Sequence, residues 1–261
     1  MMQPSLFISH GSPMLALTQT PARSFLAGLS SGLPRPRAVL AVSAHWETAE
    51  PRVNAVSRNA TIHDFFGFPR ALYDLSYPAP GDGALAQRIA DLLETAGFAT
   101  GIDRTRGLDH GAWVPLLLAW PAADIPVLQL SVQSHLGPRH AFEIGRCLSP
   151  LRDEGVLILG SGSFTHDLRR FHGQPVDAPE SPDVTQFSAW MDNALARNDI
   201  EALLDYRARA PYARDEHPSE EHLLPLFTAM GAGGGGTARL MHASTEHAIL
   251  RMDAYGFALP D

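Results

Sequence analysis

Four short runs of nearly unbroken apolar sequence constrain this chain more than anything else in it: Ser5–Ser9 (SLFIS), 38–43 (AVLAVS), Val127–Val132 (VLQLSV) and 156–160 (VLILG). A strand with one wet face alternates apolar and polar residues, so a run without alternation needs cover on both faces. Helical patterns lie between the runs. Residues 82–97 put Leu85, Ile89, Leu92 and Leu93 on one face and end at a glycine cap. Residues 137–152 and 181–197 read similarly, and 219–230 opens on Ser219-Glu220-Glu221-His222, the pattern of a capped helix start. Alternating strands and helices predict an α/β fold: a central mixed, largely parallel sheet flanked by helices. Residues 53–56 and 72–75 are read as added antiparallel strands. No low-complexity linker divides the chain, and the glycines at 231 and 233–236 read as a turn before a late strand. One domain, residues 1–261, is the expectation.

Composition narrows the chemistry. Acidic residues outnumber basic ones, 20 − 28 = −8, which argues against nucleic acid and anionic membrane as partners. All 20 basic residues are arginine. The absence of lysine excludes Schiff-base catalysis, pyridoxal-phosphate chemistry and the phosphate-binding lysine of P-loops. The single cysteine, Cys147, leaves no disulfide framework and no paired-cysteine zinc site. No apolar run approaches the about 18 residues of a membrane span, and the N-terminus lacks the basic-then-apolar pattern of a signal peptide. A cytoplasmic protein is expected.

Against this background stand twelve histidines. In open α/β sheets, ligands bind just beyond the carboxyl ends of the strands. His10 follows SLFIS directly, His45 follows AVLAVS, and His166 lies six residues past VLILG in the segment GSGSFTHD. Three strands thus deliver histidines to one edge, and His222 opens a late helix that can close over it. Converging imidazoles at a concave edge point to a metal site. Any one of them alone reads equally as a surface or core histidine with its hydrogen bonds satisfied. His110 follows a glycine turn before an apolar helix, and His63 sits on an aromatic-rich loop suited to a lid.

Competing motifs fail. The glycine segment from Gly160 starts like a dinucleotide fingerprint but carries Thr165 at the third glycine position, and it is not a nucleophile elbow. Its glycines are read as a sharp turn that carries His166 into the site.

His10 in SHGSP, His45 in SAHWE, TIHDFFGFP, GLDHGAWVPL, GSGSFTHDL and EEHLLPLF occur in this order over nearly the whole chain. Together they resemble the DODA-type extradiol aromatic-ring-opening dioxygenases of the class III extradiol superfamily, typified by the B subunit of protocatechuate 4,5-dioxygenase. The resemblance implies one metal at the strand ends and O₂-dependent cleavage of a catechol, such as 3,4-dihydroxyphenylalanine, to a ring-opened semialdehyde. It implies His10, His45 and His222 as metal ligands. It implies His166 as acid/base or a further ligand, and His110 as a histidine facing the substrate.

Protocatechuate-type members use two histidines and a glutamate around Fe²⁺; here the resemblance puts His222 at the third position, with Glu220 and Glu221 beside it. Neutral imidazoles suit Zn²⁺, which also outcompetes Fe²⁺. Zinc in the isolated protein and iron for dioxygenase activity are the expectation. A zinc-dependent hydrolase on the same fold, or a Memo-like pocket that binds without catalysis, are the alternative readings. Trp113, Phe65, Phe66 and Tyr77 are candidates to wall the aromatic ring, and Arg70, Arg169 and Arg214 to bind a substrate carboxylate. The helices at 137–152 and 181–197 leave an oligomer open.

Overall fold

The structure is a computed structural model and describes residues 2–259. Its strands are β1 (Ser5–Ser9), β2 (Ala38–Glu47), β3 (Arg52–Asn54), β4 (Gly101–Asp103), β5 (Val127–Val132), β6 (Val156–Gly162), β7 (Ala238–His242), β8 (Thr245–Glu246), β9 (Leu250–Arg251) and β10 (Ala254–Phe257). Eight form one mixed sheet in the order β4-β3-β5-β2-β6-β1-β10-β7, and β8 pairs with β9 separately. The four apolar runs are its centre, with β5, β2, β6 and β1 side by side and parallel. Antiparallel pairing enters at the flanks, where β3 meets β5 and β10 meets β1 and β7.

Helices cover both faces, as the unbroken apolar runs require: α1 (Pro21–Gly28), α2 (Gly83–Thr95), α3 (His110–Ala119), α4 (Gly137–Leu148), α5 (Pro182–Ala196) and α6 (Leu224–Ala232). Successive strand side chains point to opposite faces, so each strand feeds two cores. Leu6, Ile8, Val39, Ala41, Leu157 and Leu159 pack with Leu26 of α1 and Trp113 of α3. Phe7, Leu40, Val42 and Ile158 pack on the other face against α2, α4, α5 and α6. Each fully buried aliphatic side chain there contributes about 1.5–3 kcal/mol by leaving water.

Three local expectations are corrected. Residues 70–73 form a helical turn, so 72–75 is no strand. Pro150 has no N–H to continue a helix, and α4 stops at Leu148 before a short turn, Pro150–Asp153. The last helix starts at Leu224, with Pro225 in its first turn, rather than at Ser219. His222 therefore lies in the turn ahead of α6. The glycines after Ala232 do link that helix to β7.

Candidate metal centre and substrate cavity

The middle strands deliver the histidines. Ser9 of β1 and Ser43 of β2 are level with Gly162 and Ser161 of β6, the strand between them. His10 follows β1, and its backbone N–H donates to Gly162 O at 2.9 Å. His45 lies inside β2, which runs further than its apolar segment. Between Val42 and Glu47 the register against β5 slips, so residues 43–46 oppose Ser131 alone. Such a bulge re-aims a side chain, here His45 toward His10. His222 is tied to the end of β6 by the Ser163 N–H donating to His222 O at 2.9 Å.

Two glycines make room for this. A Cβ on Gly162 would stand 2.0 Å from His222 O. One on Gly111 would meet Ser43 Oγ at 2.5 Å and press both His45 and His10. Gly160 and Gly162 have no positive φ. They serve close approach of the 222–225 backbone, not the sharp turn expected from the sequence.

His10 Nε2 and His45 Nε2 are 3.0 Å apart, and His45 Nε2 and His222 Nε2 are 3.4 Å apart. Nitrogens held about 2.1 Å from one ion are spaced about 3.0–3.4 Å, depending on the angle between them. The opposite ring nitrogens settle what the converging ones carry. Ser161 Oγ donates to Gly111 O, so it accepts from His10 Nδ1–H at 3.0 Å. His222 Nδ1–H donates to Glu221 Oε1 at 2.9 Å. Both Nε2 atoms are left with lone pairs, the arrangement that orients imidazoles for a metal. Burial, reinforced by the neighbouring imidazoles, holds His10 and His222 well below the ordinary histidine value. Burial and His110 push His45 down to about 4, against Asp109 and Asp64. Three neutral donors converge, and the residues fit a divalent cation.

His166 belongs to a neighbouring group with Glu221 and His222 rather than to the converging three. Its ring stacks on His222, with centroids 3.4 Å apart. Burial lowers its pKa, with Glu221 and Asp167 opposing. His110 opens α3, capped by Asp109. That buried carboxylate also accepts from Ser43 Oγ at 2.7 Å, from Gln129 and from Arg106, which pins α3 to β2 and β5. His110 gives its backbone N–H to Asp64 Oδ1 and its Nδ1–H to Asp64 Oδ2, each at 3.0 Å. Burial works against the Asp64 carboxylate, but the His110 hydrogen bonds outweigh it and its pKa falls to about 2.

All five histidines line one cavity of about 570 Å³, walled by Phe65, Phe68, Leu168, Phe171 and Leu250. That volume suits a small organic ligand. Of the expected ring-walling residues only Phe65 lines it. Trp113 and Tyr77 are core, and Phe66 is 91% exposed. Arg70 and Arg169 pair with Asp74 and Asp167, Arg214 is exposed, and among the described residues no arginine lines the cavity. His63 gives its ring N–H to Leu75 O and packs edge-on against Phe65 and Trp113 and tilted against Tyr73. Its neighbour Asp64 is the residue that reaches the site. Sequence reasoning missed Asp64 and Ser161; a carboxylate beside a singled-out histidine was the one available signal.

Fold and site together define an α/β enzyme with a histidine-rich centre at the strand ends. Residues 4–258 match the family of the catalytic LigB subunit of aromatic ring-opening dioxygenase. The chain is 46% identical over 258 residues to a 4,5-DOPA dioxygenase extradiol of Beta vulgaris, covering 97% of this chain and 96% of the relative. It is 40% identical over 241 residues to one from Escherichia coli K12, covering 89% and 86%. The crystal structure of an uncharacterized protein from Escherichia coli K12 superposes with a TM-score of 0.81 at 33% identity, covering 98% of this chain and 99% of that one. The chain belongs to the LigB family of aromatic ring-opening dioxygenases, and it is an oxidoreductase. Among the described residues no helix is long and apolar enough to cross a membrane.

Proposed function

We propose that the protein cleaves a catechol beside its two hydroxyls with O₂, that the substrate is of the 3,4-dihydroxyphenylalanine type, and that His10, His45 and His222 hold one divalent metal. The observation that carries this reading is the convergence of three Nε2 atoms, 3.0 and 3.4 Å apart, on the wall of an apolar cavity. The relatives' names supply the substrate class. When bound, the metal supplies the positive charge that favours ionised catechol hydroxyls and, if iron, the redox chemistry O₂ requires.

The chain's own residues do the rest. Phe65, Phe68 and Leu250 offer the ring an apolar slot and keep water from it. His166, neutral at pH 7 because burial lowers its pKa, takes a proton from a catechol hydroxyl and returns it as the ring opens. His110 commits its Nδ1–H to Asp64, so its Nε2 faces substrate as an acceptor, takes the proton of the second catechol hydroxyl and becomes a donor. The Asp64 anion then stabilises the imidazolium, which hydrogen-bonds the developing oxyanion. Three imidazoles accept zinc readily, and we assign zinc to protein as isolated and iron to the active form. The lone Cys147, half-buried and free, accords with a reducing cytoplasm.

The test is oxygen uptake together with absorbance of the ring-opened product. Metal-stripped protein is reloaded anaerobically with Fe²⁺ or Zn²⁺ and given a panel of catechols. Iron-dependent uptake with L-3,4-dihydroxyphenylalanine is expected. No uptake with any catechol, in protein shown to hold iron, overturns the reading in favour of zinc-dependent hydrolysis.

A further inference from the structure

The cavity contains one charged group that the chemistry above does not use. Glu246, at the end of β8, lines its wall and is only 5% exposed. Its Oε1 has no hydrogen-bond partner. The Thr20 hydroxyl, also on the wall, faces the carboxyl group, and burial raises its pKa despite that neighbour and His247. Among the described residues no arginine pairs with it, although Arg251 close by is taken by Glu180 and Asp253. It makes no bond to any of the five histidines.

The backbone holds this carboxylate in place at some cost. His247 and Ala248, directly after it, both have positive φ, 55° and 66°, without being glycine. Such residues persist only where the surroundings impose them. Here the 174–181 segment does so: His247 N–H donates to Val176 O, Ser181 N–H to Ala248 O, and His247 Nδ1–H to Gln174 O at 2.8 Å. A buried carboxylate with an unfilled acceptor and no cation is unfavourable in an apolar wall. A ligand carrying its own cation removes that penalty.

We infer that Glu246 determines specificity by receiving the protonated amine of a catechol that bears an aminoalkyl tail. A primary ammonium offers three N–H donors to an anion that the protein itself leaves unmatched. Among the described residues no arginine lines the cavity, and the chain has no lysine, so the carboxylate on its wall favours the amine of such a tail over its acid group. This rests on the catechol-cleaving reading above.

The experiment compares three catechols with two-carbon tails: L-3,4-dihydroxyphenylalanine with amine and carboxylate, dopamine with amine only, and 3-(3,4-dihydroxyphenyl)propionate with carboxylate only. In the iron-loaded enzyme, Glu246→Gln lowers kcat/KM for the two amines by about 10- to 150-fold, the range for a charged hydrogen bond, mainly through KM. It leaves the propionate unchanged or improved. Glu246→Asp keeps the charge and retains the preference for amines. Calorimetry on zinc-loaded protein reads the same preference as binding, without turnover. Equal losses for all three catechols, or no change for the amines, overturn the proposal. If the iron-loaded enzyme consumes no oxygen with any catechol, the dioxygenase reading fails, and the calorimetric ranking still decides the role of Glu246.

Discussion

Asp64→Asn tests the catalytic geometry most directly, because it removes one charge and turns one acceptor into a donor with almost no change of volume. In the native protein Asp64 Oδ1 accepts the His110 backbone N–H and Oδ2 accepts Nδ1–H, each at 3.0 Å. Asparagine keeps its oxygen toward the backbone N–H, where only an acceptor serves, and so turns its NH₂ toward Nδ1. Two donors cannot face each other, and the imidazole moves its proton to Nε2. The cavity then meets a donor where it had an acceptor, and the imidazolium that forms later has lost its anion. A hydrogen bond to a charged group is worth about 1.5–3 kcal/mol, which is about 10- to 150-fold in rate. The loss is expected in kcat. Asp64 Oδ2 is 3.7 Å from His45 Nδ1, beyond hydrogen-bond range, so metal content stays near that of the native protein. Steady-state oxygen uptake with parallel metal analysis is the assay, and Asp64→Glu, which restores the anion, is expected to recover part of the loss. Activity within threefold of native in fully metallated Asp64→Asn refutes the role given to the Asp64–His110 pair.

Replacing His10 or His222 by Ala removes one of three converging donors and is expected to abolish both bound metal and oxygen uptake, read by metal analysis on dialysed protein. His166→Ala is expected to lower turnover by about 10²–10⁴-fold with metal retained; loss of metal would make His166 a ligand instead. Metal-free protein is expected to lose stability as pH falls from about 6.5 toward 4. His45 and His217, each lowered to about 4, chiefly by burial, stay neutral when folded and take up protons when unfolded. Stability is therefore full above the unfolded value near 6.5 and declines through that window. The difference between the unfolded and folded values corresponds to at most about 3 kcal/mol for each. Urea midpoints at pH 7.5 and 4.5 check this, and equal midpoints contradict it.

The sheet was legible because its physical cause is local. Residues 5–9, 38–43, 127–132 and 156–160 carry apolar side chains on both faces, and a strand covered on both faces uses them. The histidines at the strand ends were legible for a related reason, since the end of such a run marks the edge where ligands bind. What each histidine does was not legible, because it is decided at the other ring nitrogen. His10 is oriented by Ser161, 151 residues away, and His110 by Asp64, 46 residues away; only the Glu221–His222 contact joins neighbours in the chain. The sign of the cavity's charge was hidden more completely. An amino-acid substrate invites a search for an arginine, yet Arg70 and Arg169 spend their charge on Asp74 and Asp167 outside the cavity. Glu246 sits in a stretch, STEHAIL, with no pattern that announces burial. It is inside because two left-handed residues turn the chain and the 174–181 segment holds that turn. Which group of a bifunctional tail the enzyme reads is thus set by tertiary contacts, and a substrate lacking the amine is the probe that separates it from any protein recognising the acid.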